Sequence, residues 1–176
     1  MVALELVRDF VNTADLEAGE DKLGDARGLQ YWLLFHGLAE LRDRATEAEA
    51  ADARALREAL RELLRAHNGL EVDREAASET LDSVARGVGL DVRFVDGAVR
   101  FVPRKAGTAR GLGLLLAAVG QAMADGSWQR LKACKSDTCR WAFIDHARNR
   151  SRQWCDMAVC GNRAKARTFR SRSKSA

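Results

Sequence analysis

Apolar residues recur every three or four positions over most of the first 126 residues, which is the spacing of amphipathic helices. Thr46 and Glu49 have the spacing of a capping box, and Asp73 is a predicted N-cap, so two helix starts are encoded locally. Glycine follows four of the predicted helices, where it favours termination. The five helices predicted in this way cover residues 4–12, 26–36, 46–68, 73–86 and 108–125.

The period of the pattern changes to two between the fourth and fifth predicted helices, in LDVRFVDGAVRFVP. Asp96-Gly97 suits the two-residue turn of a β-hairpin. The resulting register pairs Phe94 with Val99 and Val92 with Phe101. We expect this apolar face to lie in the core and the opposite face, with its two arginines, to lie in solvent.

The charge of the 176-residue chain is unevenly distributed although its net value is only +4. Residues 128–176 contain 13 Lys and Arg against three Asp, which leaves 16 basic and 22 acidic residues for the rest. The hydrophobic fraction of 47% is typical of a globular protein. The chain therefore combines an acidic body with a basic tail, and the tail is the part suited to a polyanionic partner.

Nothing in the sequence predicts a membrane span or a secretory signal. The longest apolar run, within GLGLLLAAVG, is far shorter than the roughly 20 residues that cross a bilayer, and it lacks the GK[ST] ending of a phosphate loop. The N-terminus has no positively charged start followed by an apolar core. We expect a protein of the reducing cytoplasm, where clustered cysteines are metal ligands more often than disulfides.

All four cysteines of the chain lie in its last quarter, spaced C-x4-C-x15-C-x4-C. Two such pairs deliver four thiolates to a tetrahedral zinc ion, and a site with four protein ligands is structural because no position stays open. An iron–sulfur cluster, two disulfides, or His146 in place of one thiolate are the rival interpretations. The predicted ligands of one structural Zn²⁺ are Cys134, Cys139, Cys155 and Cys160.

The segment around the cysteines predicts a small ββα module. Residues 140–144 alternate as a strand, DHARN forms a polar turn, and residues 152–154 return as the second strand before a helix from Asn162 to about Arg170. Trp141, Phe143 and Trp154 are expected to pack around the metal. The fold class is thus α+β: a mainly helical N-terminal domain, residues 1–126, with one β-hairpin, and a C-terminal ββα zinc-binding module, residues 127–176.

The module carries a dense set of basic residues, with no acidic residue after Asp156. Arginine suits bidentate contacts to phosphate oxygens or guanine edges, and asparagine can contact a base edge. A basic hairpin and helix on a zinc scaffold indicate a nucleic-acid-binding surface. Its candidate contact residues are Arg148, Asn149, Arg150, Arg152, Asn162, Arg163, Lys165, Arg167 and Arg170.

The stretch LKACKSDTCRWAFIDHARNRSRQWCDMAVCGNRAKARTFR resembles the CGNR zinc finger, whose name is spelled by residues 160–163. The DFVNT motif, Asp9 to Thr13, is similar to the start of the ABATE domain that precedes this finger in the family. The resemblance implies a bacterial, stress-related transcription regulator that binds DNA through its C-terminal finger.

Other functions are compatible with the same residues. An RNA-binding protein would expose Trp141, Phe143 or Trp154 for base stacking. A protein-interaction module would use the basic helix to bind an acidic partner. We do not expect an enzyme, because the body has no recognisable pair of nucleophile and base. A homodimer and a small-molecule effector of the N-terminal domain are further expected partners.

Overall fold

The computed structural model describes residues 3–174 and contains six α-helices in that range. The first five helices are those predicted, with ends shifted by a few residues. The sixth follows the last cysteine and is longer than expected. The helices are α1 (Ala3–Val11), α2 (Ala26–Phe35), α3 (Glu47–His67), α4 (Arg74–Val88), α5 (Gly107–Ala124) and α6 (Asn162–Lys174).

Six short strands form three antiparallel pairs within the same range. The first pair closes the loop after α1, the second is the predicted hairpin, and the third belongs to the C-terminal module. A 3₁₀ turn, Trp128–Arg130, precedes the third pair, and a π-helical turn, Met157–Gly161, leads into α6. The strands are β1 (Ala14–Asp15), β2 (Glu20–Asp21), β3 (Leu90–Val95), β4 (Ala98–Pro103), β5 (Leu131–Ala133) and β6 (Ala142–Ile144).

Local capping signals place the starts of α3 and α4 as predicted. Thr46 and Glu49 form the reciprocal capping box, with Thr46 Oγ1 accepting from Glu49 N at 3.2 Å. Asp73 accepts from Ala76 N at 3.0 Å. The predicted end of α4 before Gly87 is wrong: the helix runs through Gly87 and stops at Gly89, which has the left-handed φ of 68°.

One continuous core joins the helical body to the C-terminal module. It contains Phe10, Leu60 and Leu115 from the helices, and also Leu131 of β5 and Ala142 of β6. Helix α3 packs on β5 and α1 packs on β6. The predicted boundary between residues 126 and 127 stays a prediction, but apolar packing continues across it.

The β3–β4 hairpin has the predicted register and a different environment. It packs on α5 through β4, where glycines permit close approach: a Cβ on Gly113 would lie 2.5 Å from Pro103 Cβ. The expectation that the face of Phe94 and Val99 lies in the core is wrong, because Phe94 is 83% exposed and Val99 42%. The turn end of the hairpin extends beyond the helix that supports its base.

No helix among residues 3–174 combines the length and the apolar character needed to cross a bilayer.

Candidate metal centre and basic surface

The first cysteine pair lies in the connection between β5 and β6. Cys134 follows β5 directly, and its amide donates to the Trp141 carbonyl at 2.9 Å. Cys139 N donates to Ser136 O at 3.0 Å, which closes a tight turn. Arg140 then takes a left-handed φ of 50° and leads the chain into β6. The strand pair thus carries two thiols at its connected end.

The second pair lies at the start of the last helical segment. Cys155 precedes the π-helical turn, and Cys160 lies within it. The Asp156 carboxylate accepts from Val159 N at 2.9 Å and so caps this turn. The wide helical turn carries the second thiol of the pair back toward the first.

The four sulfurs form one compact group, all within 4.8 Å of one another. Cys139 Sγ lies 3.6 Å from Cys155 Sγ, which lies 3.8 Å from Cys160 Sγ. A zinc ion bound by four thiolates at about 2.3 Å has sulfur–sulfur edges of about 3.8 Å, so the spacing fits such an ion. Cys134, Cys139 and Cys160 are buried.

The thiols influence one another's ionisation. Hydrogen bonds from Cys139 and Cys155 lower the pKa of Cys134 to about 2. The same contact with Cys134 raises the pKa of Cys139 to about 12, and contacts with Cys134 and Cys139 raise that of Cys155. Burial raises the pKa of Cys160. The four thiols therefore resist losing all their protons together, and the charge of a bound cation would favour the four thiolates.

Two of the three predicted aromatic neighbours surround the thiols. Trp141 and Trp154 pack against the cysteine cluster. Phe143 is buried elsewhere, and the Arg152 guanidinium lies 4.9 Å from its ring centroid. His146 is exposed and is not part of the thiol group.

Two protein-family models match this chain. Residues 4–126 match the ABATE family, described as "Putative stress-induced transcription regulator". The chain belongs to the ABATE family. Residues 130–173 match the CGNR zinc finger, so the expected pairing of the two modules is confirmed. No relative was found among the curated proteins.

The CGNR match and the geometry of the thiols agree on the cofactor. The four cysteines are positioned to bind one metal ion, a single structural Zn²⁺. All four ligands come from the protein, so the ion would be enclosed and would join the β5–β6 turn to the start of α6. Bound zinc would thereby fix the orientation of the basic helix of this ABATE-family chain.

The finger has the predicted ββα order, but one strand was assigned to the wrong residues. β6 pairs with β5, Leu131 opposite Ile144 and Ala133 opposite Ala142, and not with residues 152–154. Residues 152–154 contact the sheet without joining it as a strand, since Lys135 N donates to Gln153 O at 3.0 Å. The alternation in RWAFI does mark a strand, but the strand that pairs with it precedes the cysteines.

A buried ion pair shapes the basic loop that follows β6. Lys132 Nζ lies 2.8 Å from Asp145 Oδ2, and the two side chains are 6% and 0% exposed. Lys132 also donates to the carbonyls of Arg150 and Arg152, and Asp145 accepts from Arg152 N at 3.0 Å. Burial alone would raise the pKa of Asp145, but the hydrogen bond and charge of Lys132 together with the amides of Ala147 and Arg152 outweigh it and lower the pKa. No local pattern in the sequence indicates that these two charges are buried together.

Four of the nine candidate contact residues have side chains engaged within the protein, and a fifth, Asn162, begins α6. Arg152 donates to the carbonyls of Trp154 and Cys155, next to the metal ligands. Arg163 pairs with Glu17 of the β1–β2 loop, and Arg170 Nε donates to Ala166 O. Asn149 accepts from Ser151 Oγ.

The other four candidates are exposed and form no salt bridge within residues 3–174. They occupy two elements, the loop after β6 and the exposed surface of α6. These four residues, hereafter the free basic set, are Arg148, Arg150, Lys165 and Arg167.

The DFVNT motif docks the finger on the body. Asn12 Nδ2 donates to Ala142 O at 2.9 Å, and Asn12 Oδ1 accepts from Ala142 N at 2.7 Å. The asparagine side chain therefore pairs with the outer edge of β6 as a neighbouring strand would. Asn68, at the end of α3, likewise donates to the carbonyls of Ala133 and Gln153, each at 2.8 Å.

Arg61 of α3 is a second link between body and finger, and it is completely buried. Its guanidinium donates to Arg140 O at 3.0 Å and to Val11 O at 2.7 Å. Glu58 balances its charge at 3.0 Å. Sequence analysis missed this residue because an arginine beside a leucine stripe has the same pattern on a solvated helix surface.

Proposed function

We propose that this protein is a transcription regulator that binds duplex DNA through the exposed basic surface of its zinc finger. The observation that carries the proposal is the free basic set. These residues are exposed, come from two elements that zinc would hold together, and have no salt bridge in the described chain. Such residues can bind phosphates without first breaking an internal ion pair.

Two elements of the finger, α6 and the loop after β6, would contact the DNA. Helix α6 presents Lys165 and Arg167, whereas Arg148 and Arg150 lie on the loop held by the Lys132 and Asp145 pair. Phosphate contacts fix the register of a protein on DNA, and side chains that reach base edges supply specificity.

The contribution of Arg163 differs in this proposal from that of the free basic set. Its pairing with Glu17 means that DNA contact would require exchange of a carboxylate for a phosphate. The exchange is feasible because both side chains are about half exposed, and an exposed ion pair contributes only about 0–1 kcal/mol.

RNA binding by base stacking is less well supported. Phe143 is 6% exposed, and Trp141 and Trp154 are half-buried against the cysteines. An RNA strand needs ring faces open on the protein surface, whereas Trp141 and Phe143 lie in the wall of a cavity between the body and the finger. An acidic protein partner stays an alternative outcome of the experiment below.

The experiment is a titration of zinc-loaded protein with random duplex DNA and with single-stranded RNA over a salt series. We expect a preference for duplex and a steep loss of affinity with salt. Arg148→Gln with Arg167→Gln should reduce the slope of log affinity against log salt by about 1.8, because each lost phosphate contact removes about 0.9.

The matched control is Arg93→Gln with Arg100→Gln, which removes two exposed arginines from the β3–β4 hairpin and leaves the finger intact. An unchanged slope in the finger variant, or an equal change in the control, would refute the assigned surface. Binding to neither nucleic acid at low salt would favour the protein-interaction alternative.

We also propose a cellular role, a location and an oligomeric state for this protein. The family description supports a regulator linked to stress, and we propose that it acts in the cytoplasm of a bacterium, where it would reach DNA. A single finger buries a limited area on DNA, so a homodimer would add affinity. That the chain catalyses no reaction also stays a prediction.

A further inference from the structure

A cavity of about 1150 Å³ lies between the helical body and the finger. Helices α1 and α2 form one wall, and β6 with the loop after it forms the other. Ligand pockets for small organic molecules usually measure about 300–1,000 Å³, so the space suffices for one such molecule.

The walls of this cavity are rich in aromatic rings. Tyr31 and Phe35, on α2, are 72% and 75% exposed, although large apolar side chains are normally buried. Trp32 is buried beside them, and Trp141 and Phe143 line the cavity from the finger. Aromatic walls on two opposite elements suit a flat ring system inserted between them.

The charged groups of the cavity leave positive charge uncompensated. Lys22 and Arg27 line it and form no salt bridge within residues 3–174. The carboxylates nearby are engaged: Asp25 caps α2 by accepting from Gly28 N at 2.8 Å, and Asp9 pairs with Arg8 at 2.8 Å. An anionic group on a ligand could therefore form ion pairs with Lys22 and Arg27.

One further polar atom of the lining has no partner. Nδ1 of His36 is shielded from solvent and makes no hydrogen bond to any described residue. His36 lies against Trp32, with ring centroids 4.2 Å apart, at the end of α2 that borders the cavity. A buried polar atom without a partner costs free energy, which a bound ligand could recover.

We propose that this cavity binds a planar organic anion, an aromatic carboxylate or a close equivalent. Its ring system lies between the aromatic side chains of α2 and those of the finger, and its anionic group lies near Lys22 and Arg27. The binding site itself is independent of the function proposed above.

The regulatory consequence rests on that function. The cavity is also lined by Cys155, a predicted metal ligand, and by Arg152, which bonds to the Cys155 carbonyl. A ligand that contacts both the body and Arg152 favours the conformations of the basic loop in which it binds best. The anion would thereby change the presentation of the basic loop to DNA.

The test uses the zinc-loaded full chain and two matched probes, 2-naphthoate and its neutral isostere naphthalene-2-carboxamide, in calorimetric titrations up to millimolar concentration. We expect the carboxylate to bind about tenfold more tightly than the amide, because only the carboxylate forms ion pairs with Lys22 and Arg27. Phe35→Ala and Arg27→Gln should each weaken its binding about tenfold. Both residues are exposed, so both variants should fold.

The control is Phe94→Ala, which removes an equally exposed ring from the distant hairpin. No binding of 2-naphthoate, equal binding of the amide, or an equal loss in the control would overturn the assigned site.

The regulatory role is measured separately, as the affinity for random duplex DNA with and without saturating 2-naphthoate. A change of about fivefold or more supports the effector role, and an unchanged affinity overturns it. Absence of DNA binding in both samples, with calorimetric binding intact, would refute the proposed function and the effector role but not the cavity site.

Discussion

Replacing Asn12 with alanine should destabilise the whole protein, because this side chain joins the first helix to the finger. Its carboxamide makes two hydrogen bonds to the Ala142 backbone, at 2.9 and 2.7 Å. Asn12 is 9% exposed and Ala142 is 1% exposed. The substitution would leave a carbonyl and an amide of β6 without these partners.

The magnitude follows from those two groups. A buried polar group left without a partner costs about 1–3 kcal/mol. Two groups would cost about 2–6 kcal/mol, and the cavity beside Asn12 allows water to replace part of the loss. We therefore expect the free energy of unfolding to fall by about 2–4 kcal/mol, a large share of the roughly 5–15 kcal/mol of a typical domain.

The assay is equilibrium urea unfolding of zinc-loaded protein, followed by tryptophan fluorescence. Asn149→Ala is the control, since Asn149 is exposed and its side chain accepts only from Ser151 among the described residues; its effect should stay below about 0.5 kcal/mol. Asn12→Asp keeps the size but turns the donor into an acceptor facing the Ala142 carbonyl. It should cost at least as much as alanine.

An Asn12→Ala variant as stable as the Asn149→Ala control would refute the reasoning. So would an Asn12→Asp variant with wild-type stability, because it would show that the paired hydrogen bonds do not hold the finger on the body.

Three further predictions concern charge and metal. Lys132→Met should lower the free energy of unfolding by about 3–5 kcal/mol in urea titrations, because it leaves the Asp145 carboxylate buried without its partner; a loss below about 1 kcal/mol would contradict the buried pair. Burial lowers the pKa of His36 and of His67 in the folded protein, so the unfolded chain binds more protons. Stability should therefore fall as the pH drops below the ordinary histidine value of about 6.5, and His67→Gln should flatten this dependence in urea titrations at pH 7.5 and 5.5; an unchanged pH profile would count against the buried neutral imidazole. Cys155→Ser should release zinc and remove hydrogen-exchange protection from residues 155–170 while β5 and β6 keep theirs, and full zinc content would exclude the four-thiolate site.

Helix starts and the hairpin register could be predicted because their signals lie within a few residues. Thr46 and Glu49 are three positions apart, and the Asp96-Gly97 turn fixes which residues of β3 and β4 are opposite. The metal ligands could be predicted equally well, since a zinc site in a small module uses cysteine pairs at short spacing.

The errors arose where a long-range contact competes with a local pattern. Residues 152–154 had the composition of a strand, but β5 occupies the paired edge of β6 and Asn12 pairs with its other edge. The apolar face of the hairpin had the alternation of a buried strand, yet α5 supports only its base. In both cases the local sequence favours a β-strand, but it does not determine which other element packs against or pairs with that strand.

By itself, the sequence determined the helices, the hairpin turn, the four metal ligands and the excess of positive charge near the C-terminus, because each depends on residues close together in the chain. Only the tertiary structure decided which charges are buried, as with Arg61 and the Lys132 and Asp145 pair, and which basic residues are free. It also decided that the finger shares a core with the body and encloses a cavity with it. The physical reason is that burial and pairing depend on neighbours far apart in the chain: Asn12 and Ala142 are separated by 130 residues.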